Sequence, residues 1–494
     1  MVEATKSNHL QFLERTDSVM ECVRSRFPAS GHETSRRKLI AALGIESVQY
    51  MFDQRKHPIE RIFWIVITGW AIYGAIFIGM YQLDRFYANP TVMQFDKNYR
   101  EWIGTMPAAT FCFRNRFDRA KAIEYIHRNN LSRTGDTERI ERILTLFQTL
   151  VNLTVSDFNP LASFVANDSN YTHNSPSLFM SALLSNVDIL SVVSAVHPHV
   201  DVAINSFDPA YNDLPIKQVI TERGICYTLN APLSRLQYIP KGSHNIDIHE
   251  DMPNEPITCA YSKNQCYMKI DTFESTMSYL LHSPYELATS EEQFAVMSET
   301  DELVSSYVVV ETVASDRLRY LSVKQRNCVF RDENYQEAEI YSYNLCIMRC
   351  RASKALEFCR CKPHFYPFVD APVCTIDGLR CLEKHPSWYD KQSCRCLKPC
   401  TDVVYYVAGS NINHWSPEEG IPFKQKASFR WEMVQPKTRQ RRDVLFTFED
   451  LLVSFGGAIS LFVGKDVLAF AELPIFLTTE AIQRVIVLIR GKKQ

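Results

Sequence analysis

The chain lacks an excess of charge of either sign: 54 Lys and Arg stand against 56 Asp and Glu, a formal net charge of −2 over 494 residues. A nucleic-acid binder carries a clustered positive field, so no nucleic-acid partner is expected. Low-complexity tracts and internal repeats are missing, and 46% hydrophobic residues are too many for a disordered chain. Length alone suggests roughly three globular domains. The signatures of catalysis are missing too. There is no G-x-S-x-G elbow, no H-E-x-x-H, no P-loop and no G-x-G-x-x-G after a strand, so neither enzymatic activity nor a cofactor is expected. Cysteine is nearly absent from the first 110 residues. Only Cys22 lies there, and the other 14 follow. That division reads as two redox compartments.

Two hydrophobic segments account for it. Residues 62–83, IFWIVITGWAIYGAIFIGMYQL, run 22 residues without a charge. At ~1.5 Å per residue they reach about 33 Å, enough for a ~30 Å hydrocarbon core. The alternative is a buried core helix, which is seldom this long. Arg36, Arg37, Lys38, Arg55, Lys56 and Arg61 precede the segment and place the N-terminus in the cytosol by the positive-inside rule. Residues 451–477 form the second segment, interrupted by Lys465, Asp466 and Glu472, and Arg484, Arg490, Lys492 and Lys493 follow it. Both termini therefore read as cytosolic.

The stretch between the two segments then lies outside the cell, where an even cysteine count implies a disulfide framework of seven bridges. Zinc is the rival, because Cys359-Arg-Cys361 has His364 nearby and Cys394-Arg-Cys396 resembles a ligand pair; structural zinc prefers C-x₂₋₄-C spacing. Four N-x-S/T sequons, at Asn130, Asn152, Asn167 and Asn170, fall in the same stretch and are candidate glycosylation sites. Residues 114–153 look helical, with Ile140, Ile143, Leu144 and Phe147 at helical spacing. SSYVVVETV reads as a strand. His244 and His249 beside Glu250 and Asp251 suggest a metal or proton site, or more simply a solvated polar loop. Arg439-Gln-Arg441-Arg442 suits a basic-residue protease, or a lipid-facing charge cluster, which is the preferred reading.

The charges inside the second segment carry chemistry. Asp, Lys or Arg at a helix centre costs ~2.5–3.5 kcal/mol on insertion scales, so such groups face water, a partner helix or one another and mark a functional path. The simpler alternative ends the helix near Gly464 and lets Lys465 snorkel. Small residues recur at every fourth position, Ala71, Ala75 and Gly79 in the first segment and Gly456, Ser460 and Gly464 in the second. Such stripes let membrane helices approach closely. A two-span subunit does not enclose a pore alone, so conduction needs an oligomer.

Several motifs occur in fixed order: HPIERIFW before the first span, MPAATFC ending at Cys112, and Gly224-Ile-Cys226-Tyr227-Thr-Leu-Asn230. Tyr341-Ser342-x₃-Cys346-x₃-Cys350, Cys359-x-Cys361, Cys394-x-Cys396-x₃-Cys400 and DLLVSFGGAISLFVG in the second span come next. Over nearly the whole chain these residues resemble the epithelial sodium channel/degenerin family, most closely its insect pickpocket branch, with acid-sensing channels as further relatives. The resemblance implies a membrane protein with two transmembrane helices and a large disulfide-rich α+β extracellular domain in a trimeric channel architecture. It implies the bridges Cys112–Cys226, Cys328–Cys400, Cys346–Cys396, Cys350–Cys394, Cys359–Cys381 and Cys361–Cys374. Cys259 and Cys266 remain as a seventh pair, placed after the G-x-C motif rather than before it as in acid-sensing relatives.

The family's G-x-S selectivity filter aligns with Gly464-Lys465-Asp466, so a homotrimer sets three lysines and three aspartates near the constriction. Filters depend on rings of carbonyls and charges, and lysines facing the lumen repel sodium unless Asp466 cancels them. The family's His-Gly gating motif aligns with Glu46-Ser47, and serine resists the positive φ that glycine adopts freely. Val453 holds the position where side-chain size influences pore closing in degenerins. Gly456, Gly457 and Ser460 are the expected packing residues of the pore helix.

The expected organisation is a cytosolic N-terminus over 1–61, a first transmembrane helix over 62–83 and a cysteine-rich extracellular domain over 84–447. A pore-lining second helix follows over 448–477, then a cytosolic tail over 478–494. The resemblance implies a plasma-membrane subunit of a sodium-conducting, amiloride-sensitive cation channel, in a homo- or hetero-trimer embedded in the lipid bilayer and opened by an extracellular stimulus. The alternatives are a non-conducting subunit that modifies a hetero-trimer and, from another class, a membrane-anchored receptor without a pore.

Overall fold

The structure, a computed structural model, describes residues 57–88, 90–97, 103–131, 137–161, 163–164, 188–212, 214–238, 255–261, 265–273, 276–333, 340–414, 427–436, 439–464, 478 and 482. It divides into two compact units, residues 91–445 and a second formed by 1–90 with 446–494.

The second unit begins with helix α1, Pro58–Ala88. Its 31 residues extend past the apolar run at both ends, and it is long and apolar enough to cross a membrane.

The larger unit mixes strands and helices. In chain order it holds β1 (Thr91–Asp96), β2 (Ile103–Thr105), β3 (Ala108–Phe113), α2 (Arg119–Arg128), α3 (Thr137–Asn152), α4 (Ile189–Ala195), β4 (Val202–Ser206), β5 (Lys217–Thr221) and β6 (Gly224–Leu229). After these come β7 (Thr258–Ala260), β8 (Tyr267–Thr272), β9 (Met277–His282), β10 (Ala295–Met297), β11 (Asp301–Ala314), α5 (Tyr343–Cys359), α6 (Ile376–Glu383), β12 (Asp402–His414), β13 (Ala427–Val434) and β14 (Arg439–Val444). The helical reading of 114–153 resolves into α2 and α3. Asp118 starts α2 by accepting from the backbone N–H groups of Ala120 and Lys121, an N-cap that satisfies otherwise orphaned donors. The expected β-branched strand is the middle of β11.

Seven strands form one mixed sheet in the order β1-β14-β11-β13-β8-β4, with β12 added on β11. The length of β11 explains how it holds three partners. Asp301 to Thr312 pair antiparallel with β12. Along the other edge, Glu302 to Val308 run parallel to β13 and Thr312 to Ala314 parallel to β14. A five-stranded sheet orders β10-β9-β3-β6-β5. Phe111, Tyr279, Phe429 and Trp431 join the two sheets in one apolar core. A second core gathers the helices around Phe147, Leu150, Met348, Phe365 and Trp388.

Disulfides cross this unit from end to end. Cys112–Cys226 joins β3 to β6, and Cys259–Cys266 closes a short loop between β7 and β8. On α5, Cys346 and Cys350 stand one turn apart, so they share a face and reach Cys396 and Cys394 in turn. Cys359–Cys381 and Cys361–Cys374 fasten α6 to the end of α5, and Cys328–Cys400 closes the ladder. Six of the pairs are those implied by the resemblance, and the seventh joins the two cysteines it left over, Cys259 and Cys266. With Cys359 and Cys361 in different bridges, the zinc alternative fails at that pair, and His364 is buried beside Phe365.

The run Arg439-Gln-Arg441-Arg442 forms strand β14, hydrogen-bonded to β1 and β11. Arg439 pairs with Glu311 at 2.7 Å and Arg441, still half exposed, lies 4.0 Å from Asp443.

Candidate functional site

The second unit ends with α7, Phe448–Val463, where the candidate functional residues gather. Its start is written in the sequence. Thr447 and Asp450 form a capping box: the Asp450 N–H donates to Thr447 Oγ1 at 3.2 Å, and the Thr447 N–H donates to Asp450 Oδ2 at 2.9 Å. Two orphan donors are satisfied reciprocally, and Glu449 and Asp450 sit at the positive end of the helix dipole. The end is equally definite. Gly464 adopts φ +70°, and its N–H donates to the Ser460 carbonyl at 3.0 Å. This left-handed C-cap is the conformation glycine takes without strain. At ~1.5 Å per residue the helix spans about 24 Å. Lys465, Asp466 and the rest of the expected 448–477 span lie outside the described residues, as do Glu46, Ser47, Asn167, Asn170 and the His244 to Asp251 segment.

The faces of α7 have different jobs. Leu451, Phe455, Ala458 and Phe462 recur at i, i+4, i+7 and i+11, one helical face. Leu451 and Ala458 are buried. Phe455 and Phe462 lie against α1, where a Cβ added to Gly79 would stand 2.9 Å from the Phe455 ring and one added to Gly74 2.7 Å from the Phe462 ring. Two glycines on α1 are thus notches for two phenylalanines on α7. Beside these helices, the Arg85 guanidinium lies 5.4 Å over the Phe446 ring, and the Phe446 N–H donates to the Pro90 carbonyl at 3.3 Å.

At ~100° per residue the opposite face carries Val453, Gly457, Ser460 and Gly464. Val453 is 74% exposed, and neither Gly457 nor Gly464 has an atom within 4 Å of where a Cβ would stand. Of the expected packing residues, Gly457 and Ser460 therefore point away from α1, while Gly456 is half-buried. The helix presents a small-residue face with one branched side chain, Val453, in its N-terminal half.

In the larger unit, the candidate glycosylation residues Asn130 and Asn152 are both exposed, Asn152 as the last residue of α3. That unit also holds two clusters that motif reading missed. The Arg351 side chain of α5 is 1% exposed and that of Glu222 is fully buried, and they pair at 2.8 Å. Tyr366 donates to Glu222 Oε1 at 2.7 Å, the Ser290 N–H and hydroxyl donate to Oε2 at 3.0 and 2.9 Å, and Arg351 reaches Glu291, which also holds Lys391. Every polar atom named here has a partner, which such networks require. The second cluster lies at the start of α5, where Glu286 accepts from the Ser342 hydroxyl and the N–H groups of Tyr343 and Asn344. Burial nevertheless pushes its pKa up. Burial pushes Glu292 up to about 7, against a hydrogen bond from Asn344 and with Glu286 nearby. Residues 129 and 56 positions apart in sequence form these contacts, so no local signal announces them.

Comparison with known proteins decides the family. A model described as amiloride-sensitive sodium channel matches residues 41–476. The chain belongs to this family. It is an insect pickpocket-type member of the epithelial sodium channel/degenerin group. The chain is 23% identical over 472 residues to sodium channel protein Nach of Drosophila ananassae, covering 88% of this chain and 84% of that one. It is 25% identical to pickpocket protein 19 of Drosophila melanogaster, covering 40% of this chain and 42% of that protein. It is also 25% identical to acid-sensing ion channel 2 of Danio rerio, covering 52% and 50%. A cryo-EM structure of a proton-activated chloride channel aligns over 84% of this chain and 96% of that one, at 7% identity and a TM-score of 0.27, too low to carry an argument. The amiloride-sensitive sodium channel family is one of ion channels rather than enzymes, and its member here is a cation channel subunit.

Proposed function

We propose that the chain is one subunit of a trimeric, sodium-conducting, amiloride-sensitive channel of the plasma membrane, assembled with copies of itself or related subunits. In this reading α1 and the segment beginning with α7 cross the bilayer, both termini are cytosolic, and residues 84–447 face outward and respond to an extracellular stimulus. The observation that carries it is the division of α7 into two faces. One face is occupied by α1. The other, with Val453, Gly457, Ser460 and Gly464, is small and open and suits the wall of a narrow ion path. The left-handed cap at Gly464 ends the helix where the family's filter aligns, which supports this reading.

The test is current through the subunit expressed alone in oocytes, with surface labelling to confirm delivery, then with related subunits. Sodium current blocked by amiloride is the expected result. A surface-resident protein that neither conducts nor alters the current of any co-expressed subunit would overturn it. The departures Lys465-Asp466 and Glu46-Ser47 favour a second reading, a subunit that modifies a hetero-trimer without conducting alone. Lys465→Ala combined with Asp466→Ser separates the two: sodium current in the homomer is expected to appear or rise. An unchanged current in a conducting homomer would remove these residues from the filter.

A further inference from the structure

The seven bridges differ in what can reach them. Both cysteines are buried in Cys112–Cys226, Cys259–Cys266, Cys328–Cys400 and Cys361–Cys374, and Cys346 is buried in its bridge to Cys396. Cys350–Cys394 and Cys359–Cys381 are the two bridges with both cysteines partly exposed.

Charge separates these two. On α5, Lys354 stands one turn after Cys350 and so shares its face. Lys354 Nζ donates to the Asp390 carbonyl at 2.6 Å and to the Ser393 hydroxyl. The Cys394 sulfur lies 4.0 Å from that same carbonyl oxygen, so an ammonium is held beside it. Arg349 and Arg395, the chain neighbours of the two cysteines, add positive charge, and Arg395 is exposed. The Asp390 carboxylate accepts from the Gln392 N–H at 3.0 Å, and Lys391 is taken by Glu291. At the other accessible bridge, the Cys381 sulfur lies 3.9 Å from the Phe358 carbonyl. There the neighbouring Arg380 faces Asp377 at 3.6 Å.

A cation beside a sulfur draws in a thiolate and steadies the thiolate that leaves. We propose that Cys350–Cys394 is a reversible exchange site for a small soluble thiol, with reduced glutathione as the probe. The incoming thiolate attacks the Cys350 sulfur, the bridge breaks, and Cys394 departs as a thiolate beside Lys354. A second glutathione thiolate then displaces Cys350 from the mixed disulfide. Two glutathione thiols are thereby oxidised to one disulfide, and the bridge is reduced to two thiols that take up their protons. Cys346–Cys396 stays closed two positions on, so the segment loosens without leaving α5. The Tyr389 carbonyl just before it accepts from Arg351 Nε at 3.0 Å, which puts the exchange at the rim of the buried ionic network. That the thiol is extracellular rests on the topology proposed above; exchange in the purified chain does not.

The experiment exposes the folded full-length chain, purified in detergent, to graded reduced glutathione at constant pH and ionic strength. Cys22, which lies outside the seven bridges, is blocked beforehand. Iodoacetamide then traps the free thiols, and peptide mapping by mass spectrometry gives their order. Cys394 is expected to be alkylated first, with glutathione on Cys350 and the other six bridges closed. Lys354→Met, which keeps the aliphatic stem, is expected to slow this opening severalfold. Earlier opening of Cys359–Cys381, opening of all bridges together, or no opening overturns the proposal. An unchanged rate in Lys354→Met overturns it as well, as does glutathione on Cys394 in place of Cys350. Should Lys354→Met not fold, Arg395→Gln replaces it, with slower opening again expected. No current is measured, so a chain that does not conduct leaves this result intact.

Discussion

The unit of residues 91–445 and the helix pair solve the problem of stability differently. The larger unit draws on contacts within one chain: two large apolar cores, seven disulfides and a buried ionic network. In the helix unit, α1 and α7 meet through two glycine notches while their remaining apolar surface stays uncovered. Trp70 is 73% exposed, Phe77 63%, Val453 74% and Leu461 76%. Exposed apolar surface on this scale marks contact with lipid or protein, and membrane helices associate by close packing rather than by escape from water. One unit carries its own stability; the other depends on what surrounds it.

Removing the centre of the ionic network tests the first half of that contrast most severely. Arg351→Met leaves the Glu222 carboxylate buried without its cation, and breaking such a pair costs about 3–5 kcal/mol. The expected outcome is a large fall in the thermal midpoint of the purified chain and loss of surface delivery. A variant as stable as wild type would mean the network is not the keystone of that unit.

Cysteine variants grade the same idea. In the chain-entropy account, the stabilisation by a bridge grows with the loop it closes. Cys328–Cys400 spans 72 positions and Cys361–Cys374 spans 13, for about 4 and about 3 kcal/mol. Replacing Cys328 and Cys400 together by Ser is expected to lower the midpoint more than replacing Cys361 and Cys374. The reverse order would show that local packing around α6 outweighs loop closure.

The helix pair calls for the opposite readout. Gly79→Leu drives a side chain into the Phe455 ring, and overpacking of this kind costs about 1–3 kcal/mol. Because that contact lies within the helix unit, current is expected to change while the midpoint of the larger unit stays within error. Gly457→Leu meets nothing within the subunit, so it is expected to act only when subunits assemble, as altered conductance with unchanged folding. Equal effects of both substitutions on folding would erase the distinction between the two faces of α7.

Some of this contrast was legible in the sequence. The long apolar helix and the β11 strand came from local composition, which survives in one dimension, and six of the cysteine pairs came from the resemblance to the family. The Ala71, Ala75 and Gly79 stripe was legible too, and it falls on the less exposed side of α1. Which neighbour each small residue meets was not. Gly74, off the stripe, receives Phe462, whereas Ser460, on the stripe of the second span, points away. Helical spacing defines a face and leaves its partner undefined. The Arg439 to Arg442 run shows the same limit, since nothing local announces that the sheet brings Glu311 beside Arg439. The Glu222, Tyr366 and Arg351 network carried no motif, because its members meet only after three distant segments pack.

The finest comparison sets carboxylates against histidines inside the larger unit. Burial raises Glu292 to about 7, with Glu286 adding to the shift and Asn344 and Lys398 opposing it. Unfolded, the same carboxyl titrates near its ordinary value of 4.5. Between these values the folded state holds a proton that the unfolded state has released. This contribution is therefore complete below the unfolded value and is lost as pH rises through about 7. Burial acts on the histidines in the other direction, holding His197 and His282 at about 4 and His364 at about 3. Once unfolded they take protons below about 6.5, so they withdraw stability as pH falls. The two trends oppose each other in the wild-type midpoint, and only a difference isolates the carboxyl. Moving from about pH 7.5 to about pH 5.5 should favour wild type progressively over Glu292→Gln, whose amide does not titrate. A constant gap between the two midpoints across that range would mean that Glu292 is ionised throughout, and that the start of α5 is better hydrated than its packing implies.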